Sequence, residues 1–195
     1  MKRAALFLDR DGVINVDLAY VYRPEEFDFI PGIFDLVRMA HEREYLVVIV
    51  TNQAGIGRGY YTEEDFHLLM NWVKEQFFRQ GGHIDGVYFC PCHPEHGVGV
   101  YRKESEFRKP APGMFLAAAS ELGIDLISSV MIGDKLSDMQ AALAAGVGTC
   151  LYLGADSAEA GVPIASLHEA LAFLSREPAH ISRDNALTVK PNNKS

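Results

Sequence analysis

Two aspartates one residue apart, Asp9 and Asp11, directly follow the first apolar run of the chain. Gly12 comes next and permits a sharp bend, so both carboxylates can face one crevice. One carboxylate can attack phosphorus to form an acyl-phosphate, while a second protonates the leaving oxygen and later activates water. The pair predicts phosphoryl transfer, with Asp9 as the nucleophile and Asp11 as the acid and base.

Polar residues that suit the same chemistry follow two later apolar runs. Thr51 and Asp134 come at the ends of these runs, and Lys109 lies in the loop before the second of them. The Thr51 hydroxyl and the Lys109 ammonium can hold the transferring phosphoryl oxygens. Asp134 adds a hard oxygen ligand of the kind that Mg²⁺ prefers, and the ion would neutralise phosphate charge. We therefore expect Mg²⁺ as the cofactor.

Short apolar runs alternate with segments of helical period along the chain, which is typical of βαβ units. A parallel sheet built from such units brings the carboxyl ends of its strands to one edge, where ligands bind. The pattern predicts an α/β fold, namely a Rossmann-like three-layer sandwich with a mainly parallel sheet. The predicted strands are Ala4–Leu8, Leu46–Val50, Val87–Phe89, Val130–Ile132 and Thr149–Leu153.

Apolar residues recur at helical spacing in two segments, which predicts amphipathic helices that cover the sheet. One face carries Ile33, Leu36, Val37 and Ala40, and the other carries Phe66, Leu69, Met70, Val73 and Phe77. Thr62 and Asp65 predict a capping box at the start of the second helix, and Gly81-Gly82 predicts its end. Further helices are expected from Pro112 to Gly123 and over Leu167–Leu174.

The length and composition favour one domain. The chain has 195 residues, of which 48% are hydrophobic. We expect a single domain over residues 1–176, followed by a disordered polar tail at residues 177–195. The loops between Asp9 and Pro31 and between Cys90 and Pro110 are too long for simple connections, and we expect them to shape the site.

Charge and cysteine content limit the partners and the compartment. The net charge of −8 argues against nucleic acid as a partner, although Arg108-Lys109 could bind a phosphorylated small molecule. No apolar run is long enough to span a membrane, and the N-terminus reaches charged residues before a signal-peptide core could form. Three cysteines suit a reducing compartment. We expect a cytoplasmic protein and, by default, a monomer.

These residues match, in order, four motifs of a known superfamily. The matching segments are Asp9-Arg10-Asp11-Gly12, Thr51, Lys109 and Gly133-Asp134. The chain thus resembles the haloacid dehalogenase (HAD) superfamily. More narrowly, it resembles the D-glycero-D-manno-heptose 1,7-bisphosphate 7-phosphatase family in Phe7–Asn15, Thr51–Tyr60, Arg108-Lys109-Pro110 and Gly133-Asp134-Lys135. The resemblance extends from the N-terminus to about Leu153.

The resemblance implies a HAD fold with a minimal cap or none, and removal of the C7 phosphate of a heptose bisphosphate. It implies a role in making nucleotide-activated heptose for surface polysaccharide. It also implies Mg²⁺ held by Asp9, the backbone carbonyl of Asp11, and Asp134. The residues that it places along the substrate are Asp17, Leu18, Ala19, Tyr20, Thr51, Asn52, Gln53, Ala54, Arg108, Lys109 and Lys135.

The chain departs from the family at a zinc-binding loop. Family members commonly pair a Cys-x-His motif with a later Cys-x-Cys motif, but Ser105 and Phe107 stand at the later positions here. A structural zinc site needs four nitrogen or sulfur ligands. The remaining candidates are Cys90, Cys92, His93 and His96. We favour a loop without zinc, held by packing, with Tyr88, Phe89, Tyr101 and Phe107 as candidate anchors.

Two alternatives remain open on the sequence. Histidinol-phosphate phosphatase shares the superfamily motifs, and the segment Gly55–Tyr60 favours the heptose family over it by resemblance alone. A noncatalytic sugar-phosphate-binding protein on the same fold would be expected to lack the nucleophile or the acid, whereas Asp9 and Asp11 are both present.

Overall fold

The computed structural model describes residues 2–154 and 161–175. The strands in these residues are β1 (Ala5–Leu8), β2 (Leu46–Asn52), β3 (Gly86–Cys90), β4 (Val130–Gly133), β5 (Thr149–Leu153) and β6 (Val162–Ile164). They form a six-stranded sheet in the order β3-β2-β1-β4-β5-β6, and every neighbouring pair is parallel. The predicted α/β class and parallel sheet are confirmed.

Helices cover both faces of the sheet. They are α1 (Ile33–Glu42), α2 (Ala54–Gly57), α3 (Glu63–Arg79), α4 (Gly113–Leu122), α5 (Leu136–Ala145) and α6 (Leu167–Ser175). Short 3₁₀ helices lie at Pro24–Glu26 and Gly99–Tyr101. Leu6 and Leu8 pack with α1, α3 and α6, whereas Ala5 and Phe7 pack with α4 and α5. Because strand side chains alternate between faces, β1 contributes to both cores of a three-layer sandwich.

The ends of two predicted helices agree with the sequence signals. At the start of α3, the Asp65 backbone N–H donates to Thr62 Oγ1 (3.0 Å), and the Thr62 N–H donates to Asp65 Oδ2 (2.8 Å). This reciprocal pair is the predicted capping box. Helix α4 ends at Gly123, whose φ of 67° is left-handed, as expected of a helix-terminating glycine.

Three elements were missed by the sequence analysis. Helix α5 is rich in alanine and small residues, so its buried face has little contrast with its exposed face. Helix α2 is a single turn, too short for a periodic pattern. Strand β6 has three residues with a central proline, which is compatible with its place at the edge of the sheet. None of the three carries a detectable periodicity.

Strand β1 lies where the strand order reverses, with β2 and β3 on one side of it and β4, β5 and β6 on the other. Leu8 pairs with Ile49 of β2 on one side and with Ile132 of β4 on the other. The Asp9 backbone N–H continues this pairing and donates to the Ile132 carbonyl (3.0 Å). In open parallel sheets, the crevice at such a reversal point is the usual binding site. Asp9 therefore lies at the position where a ligand is expected.

The long segment between β1 and α1 packs on the sheet as a hairpin-like loop. The Val16 N–H donates to the Asp28 carbonyl (2.9 Å), and the Ile30 N–H donates to the Ile14 carbonyl (2.9 Å). Phe29 lies against Phe77 of α3, with the ring centroids 5.9 Å apart. Within residues 2–154 and 161–175, this loop forms no separate cap domain, in agreement with the minimal cap expected from the resemblance.

The predicted tail at residues 177–195 lies outside the described residues. No helix in the described part of the chain is both long and apolar enough to cross a bilayer.

Ser129 joins the start of β1 to the loop before β4, and its removal should destabilise the fold. Its buried Oγ accepts from the Ala5 N–H (2.9 Å) and donates to the Asp125 carbonyl (2.6 Å). Ser129→Ala leaves both backbone groups unpaired, so we expect a loss of about 1–3 kcal/mol in the free energy of unfolding, measured in urea. The neighbouring exposed Ser128 is the matched control, and Ser128→Ala should cost less than about 0.5 kcal/mol. Equal losses in the two variants would contradict this assignment.

Candidate active site

The turn after β1 brings two strand ends into contact. The Ile14 N–H donates to the Arg10 carbonyl (2.8 Å), and the Gly12 N–H donates to the Asn15 carbonyl (2.8 Å). Gly12 has a left-handed φ of 91°, and a Cβ there would lie 2.0 Å from Asp134 Oδ2. Only glycine lets the backbone approach that carboxylate so closely. The turn thus places the β1 motif directly against the end of β4.

A buried ammonium group lies at the centre of the site. Lys109 Nζ donates to Asp9 Oδ1 (2.8 Å) and to the Val50 carbonyl (2.9 Å), and it lies 2.7 Å from Asp138 Oδ1. All three side chains are almost completely buried. The predicted nucleophile and the predicted phosphoryl-binding lysine are therefore in direct contact, although they lie 100 residues apart in the chain.

Asp138 was missed by the sequence analysis. It lies in the first turn of α5, where its Oδ2 accepts from the Lys135 backbone N–H (3.1 Å). The available signal was a second carboxylate four residues after Asp134, in the segment that follows a strand. Such an aspartate usually acts as a helix cap, and only the fold shows that its other oxygen faces Lys109.

Burial raises the pKa of two of these carboxyl groups. It raises the pKa of Asp9 to about 7, since the loss of water and the neighbouring Asp138 charge outweigh the opposing effect of Lys109. Burial likewise raises the pKa of Asp134 to about 6, against the effect of the nearby Lys135. Burial also opposes the charge on Lys109, but Asp9 and Asp138 outweigh it and raise the pKa of the ammonium.

The donor set fits a divalent cation. One carboxylate oxygen from each of Asp9, Asp134 and Asp138 lies within 4.8 Å of the others. Asp134 Oδ1 is buried without a hydrogen-bond partner. When ionised, the three carboxylates face the buried charge of Lys109 and the half-exposed charge of Lys135, which is already paired with Asp17, so negative charge remains in excess. A hard cation with oxygen ligands, such as Mg²⁺, satisfies both the orphaned oxygen and the charge.

The Asp11 carboxylate points away from this cluster. Arg10 donates to its Oδ1 through Nε (3.2 Å) and Nη2 (2.6 Å), and Asn15 Nδ2 donates to the same oxygen (3.1 Å). Gln53 Nε2 donates to Oδ2 (3.1 Å). Arg10 is fully buried, and the sequence analysis gave it no role because a charged residue between two aspartates resembles a surface residue. In the fold, it holds the second aspartate in place.

A cavity of about 260 Å³ opens beside the turn after β1 and is lined by Asp11, but not by Asp9, Asp134 or Asp138. Its lining is mostly the set that the sequence analysis assigned to substrate: Asp11, Asp17, Ala19, Tyr20, Asn52, Gln53, Ala54, Gly55, Tyr61 and Lys135. Leu18 lines a neighbouring cavity instead. Thr51 and Lys109 are buried, and Arg108 is not among the lining residues. Tyr61 is a lining residue that the sequence analysis did not assign.

An ion pair crosses one side of the cavity. Lys135 Nζ lies 3.0 Å from Asp17 Oδ2, and both side chains are substantially exposed. Partial burial opposes the charge of Asp17, but the bonds from Lys135 and from the Ala19 N–H, together with the charges of Lys135 and Arg10, outweigh it and lower the pKa of that carboxyl. An exposed pair of this kind is weak, so a substrate phosphate can compete with Asp17 for the ammonium.

The Lys109 loop is attached to the end of β2 by a reciprocal pair of bonds. Asn52 Nδ2 donates to the Lys109 carbonyl (3.1 Å), and the Lys109 N–H donates to Asn52 Oδ1 (3.1 Å). Arg108 Nη1 donates to the Cys92 carbonyl (3.1 Å), which fixes its guanidinium against the cysteine-containing loop. The side chain of Asn52 is thus engaged with the backbone that positions the lysine.

The candidate zinc ligands do not converge on one point. Cys90 and Cys92 are buried in the apolar core on the α4 side of the sheet. His93 Nδ1 accepts from the N–H groups of Glu95 (3.2 Å) and His96 (3.1 Å). Within residues 2–154 and 161–175, the four side chains are not among the groups whose ligand atoms approach each other closely enough to share an ion. This arrangement does not fit a structural zinc site.

One of the proposed anchors of this loop was wrong. Tyr88, Phe89 and Tyr101 pack against the core, but Phe107 is 40% exposed. Tyr101 also donates from its hydroxyl to Glu63 Oε1 (2.9 Å), which ties the loop to the start of α3. Phe107 lies in a turn next to Ser105, whose Oγ accepts from the Phe107 N–H (3.2 Å), and the turn directs the ring outwards.

A second group of possible metal ligands lies beside the amino ends of β2 and β3, at the opposite edge of the sheet. It consists of His41, His83 and Asp85. The two imidazole rings stack with centroids 3.8 Å apart and planes within 8° of parallel. One ion cannot lie in the planes of both stacked rings, as coordination by their ring nitrogens requires, so this geometry does not fit a metal site.

Comparisons with known proteins agree with these features. A family model described as HAD-hydrolase-like matches residues 106–183. The D-glycero-alpha-D-manno-heptose-1,7-bisphosphate 7-phosphatase of Burkholderia mallei is 58% identical over 153 residues, covering 78% of this chain and 81% of the relative. The D-glycero-beta-D-manno-heptose-1,7-bisphosphate 7-phosphatase of Vibrio cholerae is 49% identical over 172 residues, covering 88% and 90%.

A solved structure is similar over most of the chain. The D,D-heptose 1,7-bisphosphate phosphatase from B. bronchiseptica, complexed with magnesium and phosphate, aligns with a TM-score of 0.74 and 28% identity. The alignment covers 89% of this chain and 98% of that one. The magnesium in that complex agrees with the cation that the carboxylates of this chain fit.

Gly12→Ala should disrupt the carboxylate cluster. The new Cβ would displace Asp134, so we expect kcat/KM to fall on the order of 100-fold or more, with a matching loss of Mg²⁺ affinity. Gly123→Ala is the matched control, because Gly123 also has a left-handed φ (67°) but no atom within 4 Å of an added Cβ. The control should lose about 1 kcal/mol of stability and keep its activity. Similar activity losses in both variants would contradict a role for the close approach.

Stabilisation by Mg²⁺ should increase with pH. In the metal-free protein, Asp9 (pKa about 7) and Asp134 (pKa about 6) keep protons that the unfolded chain has already released. Their contribution to stability is therefore lost as the pH rises through these values. Mg²⁺ binds the ionised carboxylates, so the increase in Tm that it causes should be larger at about pH 8 than at about pH 6. Asp134→Asn should remove most of the response, and a response independent of pH would contradict the assignment.

Proposed function

The chain belongs to the heptose-1,7-bisphosphate 7-phosphatase family of HAD-like hydrolases, and we propose that it removes the C7 phosphate of D-glycero-D-manno-heptose 1,7-bisphosphate. The reaction is Mg²⁺-dependent hydrolysis of a phosphoric monoester. Its product would feed the synthesis of nucleotide-activated heptose for surface polysaccharide. The observation that carries the proposal is the buried Lys109–Asp9 contact, with Asp11, two residues after Asp9, lining a cavity.

Asp9 is the proposed nucleophile. Lys109 holds its Oδ1, which leaves Oδ2 for attack on phosphorus. Attack forms an aspartyl-phosphate while the bond between phosphorus and the C7 oxygen breaks, and Asp11 gives its proton to that oxygen. When bound by Asp9, Asp134 and the Asp11 carbonyl, Mg²⁺ neutralises phosphate charge and favours the ionised nucleophile.

Hydrolysis of the intermediate uses the same groups in reverse. Asp11, now ionised, takes a proton from water as the water oxygen attacks phosphorus, and Asp9 is released with inorganic phosphate. Lys109 and the Thr51 hydroxyl hold the phosphoryl oxygens during both steps. Both residues are buried and fixed by neighbours, so they need little rearrangement as charge develops.

The cavity chemistry suits a sugar with a second phosphate. Asp17 and the backbone around Ala19 and Tyr20 offer acceptors and donors for hydroxyl groups, while Lys135 offers a cation for an anionic group. Arg108 is a second candidate cation for the substrate, although its guanidinium is tied to the Cys92 carbonyl and it does not line the cavity. Both anomers are candidate substrates, because the relative at 58% identity is named for the alpha form and the relative at 49% for the beta form.

We propose a single catalytic domain over residues 1–176 that acts as a monomer in the cytoplasm. The one sheet that joins all described strands supports the single domain. Cys90, Cys92 and Cys150 are free and buried, which suits a reducing compartment.

A substrate panel tests the proposed function. Phosphate release should be measured with saturating Mg²⁺ from both anomers of heptose 1,7-bisphosphate, heptose 7-phosphate and histidinol phosphate. We expect kcat/KM for one bisphosphate anomer to exceed that for histidinol phosphate by at least about 100-fold, since selectivity is a ratio of specificity constants. Asp9→Asn, which keeps the size of the side chain, should abolish turnover of every compound.

The outcomes separate the alternatives left open by the sequence. Equal or faster turnover of histidinol phosphate would overturn the sugar substrate and keep the phosphatase mechanism. Binding of the bisphosphate without turnover by the wild type would favour a noncatalytic protein. Full activity in Asp9→Asn would contradict the aspartyl-phosphate mechanism.

A further inference from the structure

Gln53 uses all of its side-chain polar groups inside the protein. Its Nε2 donates to Asp11 Oδ2 (3.1 Å) and to Thr51 Oγ1 (2.8 Å), and its Oε1 accepts from the Tyr61 hydroxyl (2.5 Å). A primary amide has two N–H donors, so none remains for a substrate. The sequence analysis assigned Gln53 to substrate binding, but its amide connects the proposed acid and base with the phosphoryl-binding threonine.

The two oxygens of Asp11 have different surroundings. Oδ1 accepts from the guanidinium of Arg10 at two nitrogens and from Asn15 Nδ2. Because a guanidinium is always charged and only donates, a proton on Oδ1 would face three donors. Oδ2 accepts one bond, from Gln53 Nε2, which occupies only one of its lone-pair directions. The remaining direction is available for a proton.

We propose that Asp11 transfers its proton through Oδ2 and that Gln53, held by Tyr61, is the positioning residue that orients this oxygen towards the leaving group. The inference rests on the proposed phosphatase function. In the first step, the proton leaves Oδ2 for the ester oxygen as the bond from that oxygen to phosphorus breaks. In the second step, a water proton arrives at Oδ2 as the water oxygen bonds to phosphorus and the acyl-phosphate bond breaks.

Tyr61 fixes the orientation of the Gln53 amide. Its hydroxyl is buried, and burial raises the pKa of Tyr61 to about 12, so the hydroxyl remains a donor. If the amide turned over, its oxygen would face the Asp11 carboxylate and two acceptors would repel each other. The Tyr61 ring stacks on Tyr22 with the centroids 5.1 Å apart, and a Cβ at Gly55 would lie 2.3 Å from it. Close packing therefore holds the hydroxyl in place.

Tyr61→Phe tests the inference by leaving-group dependence. Phenyl phosphate needs a proton on its leaving oxygen, whereas the nitrophenolate of p-nitrophenyl phosphate departs without one. We expect the variant to lose about fivefold in kcat/KM on phenyl phosphate and less than about twofold on p-nitrophenyl phosphate. A purely structural role for Tyr61 would lower both values equally. Both assays contain saturating Mg²⁺.

Gln53→Glu provides a second variant of nearly the same shape. It replaces the donor to Asp11 Oδ2 with an acceptor, so the loss on phenyl phosphate should be larger, on the order of 100-fold, and again smaller on p-nitrophenyl phosphate. Tyr22→Phe is the matched control, because it removes a hydroxyl from the ring stacked on Tyr61 and leaves the stack intact. It should retain both values. Near-ultraviolet circular dichroism and Tm verify that each variant is folded.

The results distinguish the inference from the function on which it rests. Equal losses on the two aryl phosphates in folded variants, or no loss in either variant, would overturn the role of Gln53 and Tyr61 while the phosphatase function stands. Failure of the wild type to hydrolyse heptose 1,7-bisphosphate as well as both aryl esters would overturn the phosphatase function together with the inference.

Discussion

Lys109 brings one positive charge into a region that also buries the carboxylates of Asp9 and Asp138. Removing an ionised group from water is costly, and the cost is offset only by close partners of opposite charge. The Lys109 ammonium, within 3 Å of both carboxylates and the Val50 carbonyl, meets that requirement. Loss of the Lys109 ammonium would leave two buried carboxylates without their counter-charge. The rest of the site is arranged around this constraint.

The site contains more carboxylate groups than ammonium groups, and this excess of negative charge affects both its protonation and its metal binding. Burial, with the excess of carboxylates, raises the pKa values of Asp9 and Asp134, so the metal-free site holds protons on groups that ordinarily release them. A divalent cation removes the need for those protons. The same ion then allows an anionic nucleophile to approach an anionic ester. Without the cation, the negative charge of the site is therefore poorly compensated. The same negative charge accounts for both metal affinity and catalysis.

Residues in the loops that follow β1 and β2 hold the carboxylate of Asp11 in place. Asp11 is held through Arg10 and Asn15 on one oxygen and through Gln53 on the other, so its carboxylate stays outside the metal cluster although it follows Asp9 by only two residues. The loop between Cys90 and Pro110 is supported by buried thiols and by the bond from Tyr101 to Glu63. A hydrogen bond to the Cys92 carbonyl positions Arg108 in this loop.

Local patterns in the sequence were sufficient for the parallel sheet, the capping box of α3 and the motif residues at the strand ends. These features depend on neighbours in the chain, and the apolar run of β1 and the Thr62–Asp65 spacing are visible without a fold. Asp138, Arg10 and Tyr61 were not found, because their roles depend on partners that folding brings together: Lys109, Asp11 and Gln53. Phe107 was misassigned because an aromatic side chain predicts burial only on average. The sequence by itself determined which chemistry was available, and the tertiary structure decided which partners each carboxylate oxygen has, since that choice depends on contacts between distant segments.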